Sequence, residues 1–221
     1  MITVHHLENS RSQRVLWLLE LLAADYTVKR YDRDPKTMLA PDDLRLVHPL
    51  GKSPVIEDGE IVVAETGAIF EYLLEVYDTD NKLSAPKGTQ DARDLTYWLH
   101  YAEGSAMTPL LLKLMFSVMP DRAPVLVKPL MRRVSGTIQD NFVDPRIMEH
   151  VNYWESALSA TGWFVGDHLS AADIMMSFPL EAAAMRVDLS VFANVQRFVE
   201  ACHADPAYQK ALEVGGPYAY A

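Results

Sequence analysis

Apolar and polar positions follow two rhythms along this chain, one confined to its first third. Ile2 to Leu7 (ITVHHL) reads as a short strand. Val15, Leu16, Leu18, Leu19 and Leu22 then recur at helical spacing, which predicts a helix over 11–23. Residues 26–32 (YTVKRYD) alternate and carry β-formers, so a second strand follows. After a polar stretch with Pro35, Pro41 and Pro49 come two apolar runs, 54–57 and 60–64, separated by Asp58-Gly59. Asp-Gly between such runs predicts a two-residue hairpin with positive φ at both turn positions. Ile69, Tyr72, Leu73 and Val76 then share one face of a helix. The predicted order is β-α-β followed by β-β-α.

Beyond this point the pattern is helical throughout. Polar residues with Pro and Gly (YDTDNKLSAPKGT) read as a linker. Helices are predicted over 90–117, roughly 122–140, 145–160, 170–186 and 190–213, separated by short polar breaks. The reading divides the chain into an α/β domain over 1–78, a linker over 79–89 and an all-α domain over 90–221. No internal repeat or low-complexity tract interrupts it.

Composition narrows the function classes. A 49% hydrophobic and 23% charged chain is ordinary for a globular protein. No run approaches the roughly 20 apolar residues that span a bilayer, and the N-terminus lacks a basic region followed by an apolar one. A cytoplasmic protein without membrane partners is therefore expected. The net charge of −10, with Arg132-Arg133 the densest basic pair, argues against nucleic acid. The single cysteine, Cys202, allows no intramolecular disulfide and no thiolate zinc site; it reads as a packing residue, and no metal is expected.

Four short segments carry candidate chemistry. Asn9-Ser10-Arg11-Ser12-Gln13-Arg14 opens the first helix; Ser10-x-x-Gln13 fits a capping box, and the same geometry would stabilise a thiolate. Gly51-Lys52-Ser53-Pro54 leads into a strand, with a proline open to the cis form. Glu65-Thr66 opens the second helix; Thr66 reads as its N-cap, the free amides suit a carboxylate, and Glu65 suits a neighbouring ammonium. Ser170-Ala-Ala-Asp173, with Leu169 and Ile174 as a hydrophobic staple, is a structural cap, so Asp173 is read as a capping acid and not a catalytic one. The first three segments lie at strand–helix junctions or strand starts of one small domain. Together they fit a ligand with a carboxylate beside an ammonium, a peptide-like middle and an anionic sulfur, as glutathione has.

The chain resembles the glutathione transferase superfamily through SRSQRVLWLLE (10–20), HPLGKSPVI (48–56), ETGAIFEYL (65–73) and SAADIM (170–175), in that order. It looks most like the bacterial and fungal members of serine type, since neither tyrosine nor cysteine stands near the first strand–helix junction. The resemblance implies a thioredoxin-like N-terminal domain, an all-helical C-terminal domain and a homodimer. It implies that Ser10, with Ser12 as rival, donates to the glutathione thiolate. Pro54 would be a cis proline and the Ser53 backbone would pair with the cysteinyl part; Ser53 stands where valine is commoner. Lys52 would face the glycyl carboxylate, and Glu65 and Thr66 the γ-glutamyl end. The activity implied is conjugation of glutathione to a hydrophobic electrophile, with peroxide as a further acceptor. Tyr97, Tyr101, Met107 and Leu111 are candidates for the electrophile site, along with Met115, Phe116, Tyr218 and Tyr220. The alternative is a non-catalytic interaction or regulatory protein of the same fold.

Overall fold

The computed structural model describes residues 1–220. The N-terminal part holds β1 (Ile2–Leu7), α1 (Ser12–Leu21), β2 (Tyr26–Tyr31), β3 (Val55–Asp58), β4 (Ile61–Ala64) and α2 (Thr66–Tyr77). Its sheet runs β2-β1-β3-β4; β1 is parallel to β2 and antiparallel to β3, and β3 is antiparallel to β4. The α/β order expected of a thioredoxin-like domain is present. As a central strand, β1 buries Ile2, Val4, His5, His6 and Leu7, so its two histidines are interior residues.

The hairpin forms one residue later than the Asp-Gly signal suggests. Asp58 pairs with Ile61, so Gly59 and Glu60 make the turn. Gly59 has φ 62°, and Glu60 is not among the residues with positive φ. A single positive φ at the first loop position describes a type II′ turn, which needs glycine there only. Asp58 instead ties the strand to α2: its carboxylate accepts from Tyr72 at 2.9 Å and from Tyr77.

Residues 78–89 carry no helix or strand, yet they are pinned. The buried Asp78 carboxylate accepts from the amides of Lys82, Leu83 and Ser84 and from the Ser84 hydroxyl, at 2.6–3.0 Å. Burial pushes this carboxyl up in pKa, but those donors outweigh it and hold it below the ordinary value.

The helical part comprises α3 (Gln90–Tyr101), α4 (Met107–Arg122), α5 (Lys128–Ile138), α6 (Asp144–Ala157), α7 (Ala171–Ala184), α8 (Ala193–Ala204) and α9 (Pro206–Gly215). Two joints are continuous where the pattern predicts an uninterrupted helix or a break. A π turn, Ala102–Ala106, joins α3 to α4, and another, Gln139–Val143, carries α5 into α6 across the expected gap at 141–144. Pro109 and Pro145 lie four residues beyond Ser105 and Asn141, each inside a π turn. The widened turn accommodates a proline that lacks the N–H for its i−4 carbonyl. Conversely, the helix predicted over 190–213 divides at Asp205-Pro206. Pro206 takes a first-turn position in α9, and Asp205, at φ −66° and ψ 127°, accepts from Ala207 and Tyr208 at 2.9 and 3.0 Å.

One hydrophobic core runs through both parts. Ala171 to Ala183 of α7 are all buried, as are Ser12 to Leu19 of α1. The Asp173 carboxylate accepts from the Ser170 amide and hydroxyl (2.8 and 2.6 Å) and from Phe164 N–H (2.8 Å), so it is a buried capping group at the start of α7. Burial raises its pKa to about 6, against those hydrogen bonds.

Candidate active site

A cleft of about 180 Å³ opens where the β1–α1 junction, the loop before β3 and the start of α2 face the π turn after α3. Its walls include Arg11, His48, Lys52, Ser53, Pro54, Glu65, Thr66 and Glu103. Three segments far apart in sequence thus converge on one hollow.

Each wall has a local cause. The Ser53–Pro54 bond is cis. The Ser53 hydroxyl donates to the His5 carbonyl at 2.8 Å and accepts from Leu7 N–H at 3.2 Å, which fastens the loop to β1. Its side chain is thereby spent on the fold, leaving the backbone as its contribution to the cleft. Lys52 is exposed and has no ion-pair partner among the described residues.

Glu65, not Thr66, occupies the N-cap position of α2, and Thr66 is the first helical residue. Glu65 has φ 73° and ψ 127°, a backbone conformation an L residue adopts at a cost of about 1–3 kcal/mol. The bend leaves the Glu65 carboxylate exposed while Thr66 is buried beside it. No side chain caps this helix, so its first amides face the cleft region unsatisfied by a local acceptor.

Opposite them stands a cluster of charges. Arg14, 1% exposed, donates to the Met175 carbonyl at 2.6 Å and to the Glu103 carboxylate. Arg11 Nε lies 2.9 Å from the other Glu103 oxygen, with its N–H turned off the line between them. Both guanidiniums stack on Phe178, 5.5 Å (Arg11) and 5.2 Å (Arg14) from the ring centre. Burial raises the pKa of Glu103, but Arg14 and then Arg11 outweigh it and hold the carboxyl below its usual value.

A model described as glutathione S-transferase, N-terminal domain, matches residues 1–75, and its C-terminal counterpart matches residues 132–213. Glutathione S-transferase 1 of Saccharomyces cerevisiae is 36% identical over 194 residues, which cover 84% of this chain and 82% of that one. Glutathione S-transferase 3 of Schizosaccharomyces pombe is 30% identical over 215 residues, covering 96% and 87%. A solved glutathione S-transferase from Actinobacillus pleuropneumoniae, 32% identical, aligns with a TM-score of 0.81 over 100% of this chain and 95% of its own.

The chain belongs to the glutathione S-transferase superfamily.

For a glutathione S-transferase of expected serine type, the placement of the serines is informative. Neither Ser10 nor Ser12 lines the cleft. Ser10 is 7% exposed and Ser12 fully buried. Their hydroxyls lie 2.7 Å apart, and Ser12 Oγ is 2.9 Å from His6 Nδ1. Burial first, then the Arg30 charge, push the His6 pKa down to about 4, against the pull of the Gly215 backbone. Nor does Ser10 form a capping box with Gln13: helix α1 starts at Ser12, and the Gln13 side-chain amide is buried without a hydrogen-bond partner. The polar side of α1 is covered by α9 instead, where a Cβ on Gly215 would come within 2.7 Å of Gln13 Oε1.

None of the eight electrophile candidates, Met115, Phe116, Tyr218 and Tyr220 included, lines this cleft. Tyr101 is 8% exposed and bonded to His150 and to the Trp154 indole (3.1 Å); Tyr97 stacks on it at 5.5 Å. The Tyr101 hydrogen bonds join α3 to α6. Met107 belongs to the core, and Leu111 is exposed on α4. The sequence reading missed Arg11, His48 and Glu103. Arg11 was adjacent to a chosen residue. Glu103 sits in a helical run with nothing local to mark it, and only the packing of α3 and the following π turn against α7 delivers it to Arg11 and Arg14.

Proposed function

We propose that this protein binds glutathione in the cleft as its thiolate and transfers it to an apolar electrophile. The observation that carries this is the convergence of Glu65, Thr66, Ser53-Pro54 and Lys52 on one hollow. In this reading the exposed Glu65 carboxylate pairs with the γ-glutamyl ammonium. Thr66 and the uncapped amides of α2 take the neighbouring carboxylate. The Ser53 backbone pairs with the cysteinyl amide, and Lys52, lacking an internal partner, faces the glycyl carboxylate. A free thiol titrates near pH 8.5, so lowering it by about two units requires roughly 2.7 kcal/mol of preference for the thiolate. The thiol proton leaves to solvent. Sulfur then forms a bond to the electrophilic carbon as that carbon's leaving group departs with the electron pair. A homodimer and a cytoplasmic location belong to the same reading and are supported by family membership alone.

Titration calorimetry with glutathione, joined to absorbance of the bound thiolate across pH, tests it. Saturable binding with a depressed thiol pKa is the expected result. Binding without the depression would indicate a carrier, and no binding would refute the assignment of the cleft.

A further inference from the structure

The bound sulfur must meet a group that favours its charged form, and the start of α1 offers fewer such groups than its sequence suggests. The amides of the first turn are occupied: Ser12 N–H donates to Ser10 Oγ (3.3 Å), Gln13 N–H to the Ser10 carbonyl (3.3 Å), and Arg14 N–H to the Arg11 carbonyl (3.2 Å). The serine hydroxyls are turned inward as well. The two hydroxyls lie 2.7 Å apart, and Ser12 Oγ lies 2.9 Å from His6 Nδ1 and 3.4 Å from the Leu7 carbonyl, to which it can donate. Neither hydroxyl lines the cleft.

Arg11 is different. It lines the cleft, its side chain is 38% exposed, and its terminal nitrogens have no hydrogen-bond partner among the described residues. Glu103 is shared between Arg11 and Arg14, so one carboxylate faces two guanidiniums and the cluster keeps an unbalanced positive charge. The terminal nitrogens of Arg14 lie on Met175 and Glu103, which leaves Arg11 as the cation of this cluster free to meet an anion. The Phe178 ring and Glu103 fix its plane and direction.

We propose that the Arg11 guanidinium, rather than a serine hydroxyl, holds the glutathione sulfur as thiolate, which makes Arg11 the catalytic residue of this cleft. Glu103 is its positioning residue. The inference rests on glutathione being the occupant. The other elements of the cleft already match the remaining charges of that ligand: Glu65 the ammonium, Thr66 and Lys52 the two carboxylates.

The test compares Arg11→Gln and Arg11→Lys with the unmodified protein, using glutathione and S-methylglutathione. The second ligand keeps every charge of the first except the ionisable sulfur. Arg11→Gln should raise the pKa of bound glutathione by about one unit or more, and so cut kcat/KM toward an activated aryl halide at slightly acid pH by about tenfold. Affinity for S-methylglutathione should stay within about twofold, and Arg11→Lys should recover much of the loss. An unshifted thiol pKa in Arg11→Gln overturns the proposal. So does an equal loss of affinity for both ligands, which would place Arg11 on a carboxylate. A shift seen in Ser10→Ala but not in Arg11→Gln would return the role to the serine. If the unmodified protein binds neither ligand, the glutathione reading itself fails, and the proposal with it.

Discussion

Glu65 joins an exposed carboxylate in the cleft to an unfavourable backbone. At φ 73° and ψ 127° its conformation is one that glycine adopts more readily. Glu65→Gly should therefore raise stability by about 1 kcal/mol, the relief of strain outweighing glycine's extra chain entropy, a gain of about 2–4 °C in Tm. The same change should weaken glutathione binding by about tenfold or more, since the ammonium loses its partner. Thermal unfolding and calorimetry on one variant check both. A loss of stability would show that the bend is not strained, and unchanged affinity would remove Glu65 from the site. Sequence inspection found Glu65 because an acid beside a hydroxyl at a helix start is a local signal. It placed the cap one residue late because φ is not written in the residue type.

Among the elements, α9 depends most on a single side chain. Asp205 caps two of its amides and also accepts from the Trp17 indole at 2.9 Å, joining α9 to α1. Asp205→Ala should cost about 2–3 kcal/mol, more than a simple cap, because the buried indole N–H loses its acceptor too. Gly215, at the other end of α9, has no room for a methyl group: the three nearest atoms, on Gln13, Leu16 and His6, would lie at 2.7–3.3 Å. Gly215→Ala should cost about 1–3 kcal/mol through overpacking. Urea unfolding measures both; values near zero would show that α9 docks loosely. Apolar spacing revealed helical character at 190–213 but hid the break, since Val195, Phe198, Cys202, Tyr208 and Ala211 are buried on both sides of Asp205-Pro206.

Across the whole molecule, two buried groups titrate in opposite senses. His6 is protonated in the unfolded chain below its ordinary value of 6.5 but in the native chain only below about 4. Its contribution is thus lost as pH falls from about 6.5 to 4, to an extent of about 3 kcal/mol. Asp173 binds its proton in the native state from about pH 6 downward, against 3.8 when unfolded. Its contribution therefore grows by a similar amount as pH falls from about 6 to 4. The two contributions oppose each other across this window, while His150, whose pKa burial also lowers, adds in the sense of His6. Relative to the unmodified protein, His6→Gln should grow more stable as pH falls, and Asp173→Asn less stable. Denaturant unfolding at a series of pH values decides this, and parallel pH profiles for both variants would refute it.

The sequence by itself determined the element types, the change from mixed α/β to all-α, the capping role of Asp173 and the pieces of the ligand cleft that lie at element starts. These depend on residue period and on turn chemistry, which act over a few positions. Tertiary structure alone decided which side chains face the cleft. Ser10 and Ser12 turn inward because β1 sets His6 beneath them, and Arg11 is left to face the cleft because Glu103 arrives from 92 residues away along the chain to hold it. A hydroxyl or guanidinium points where its acceptor lies, and that acceptor is supplied by packing between elements, which no local pattern encodes.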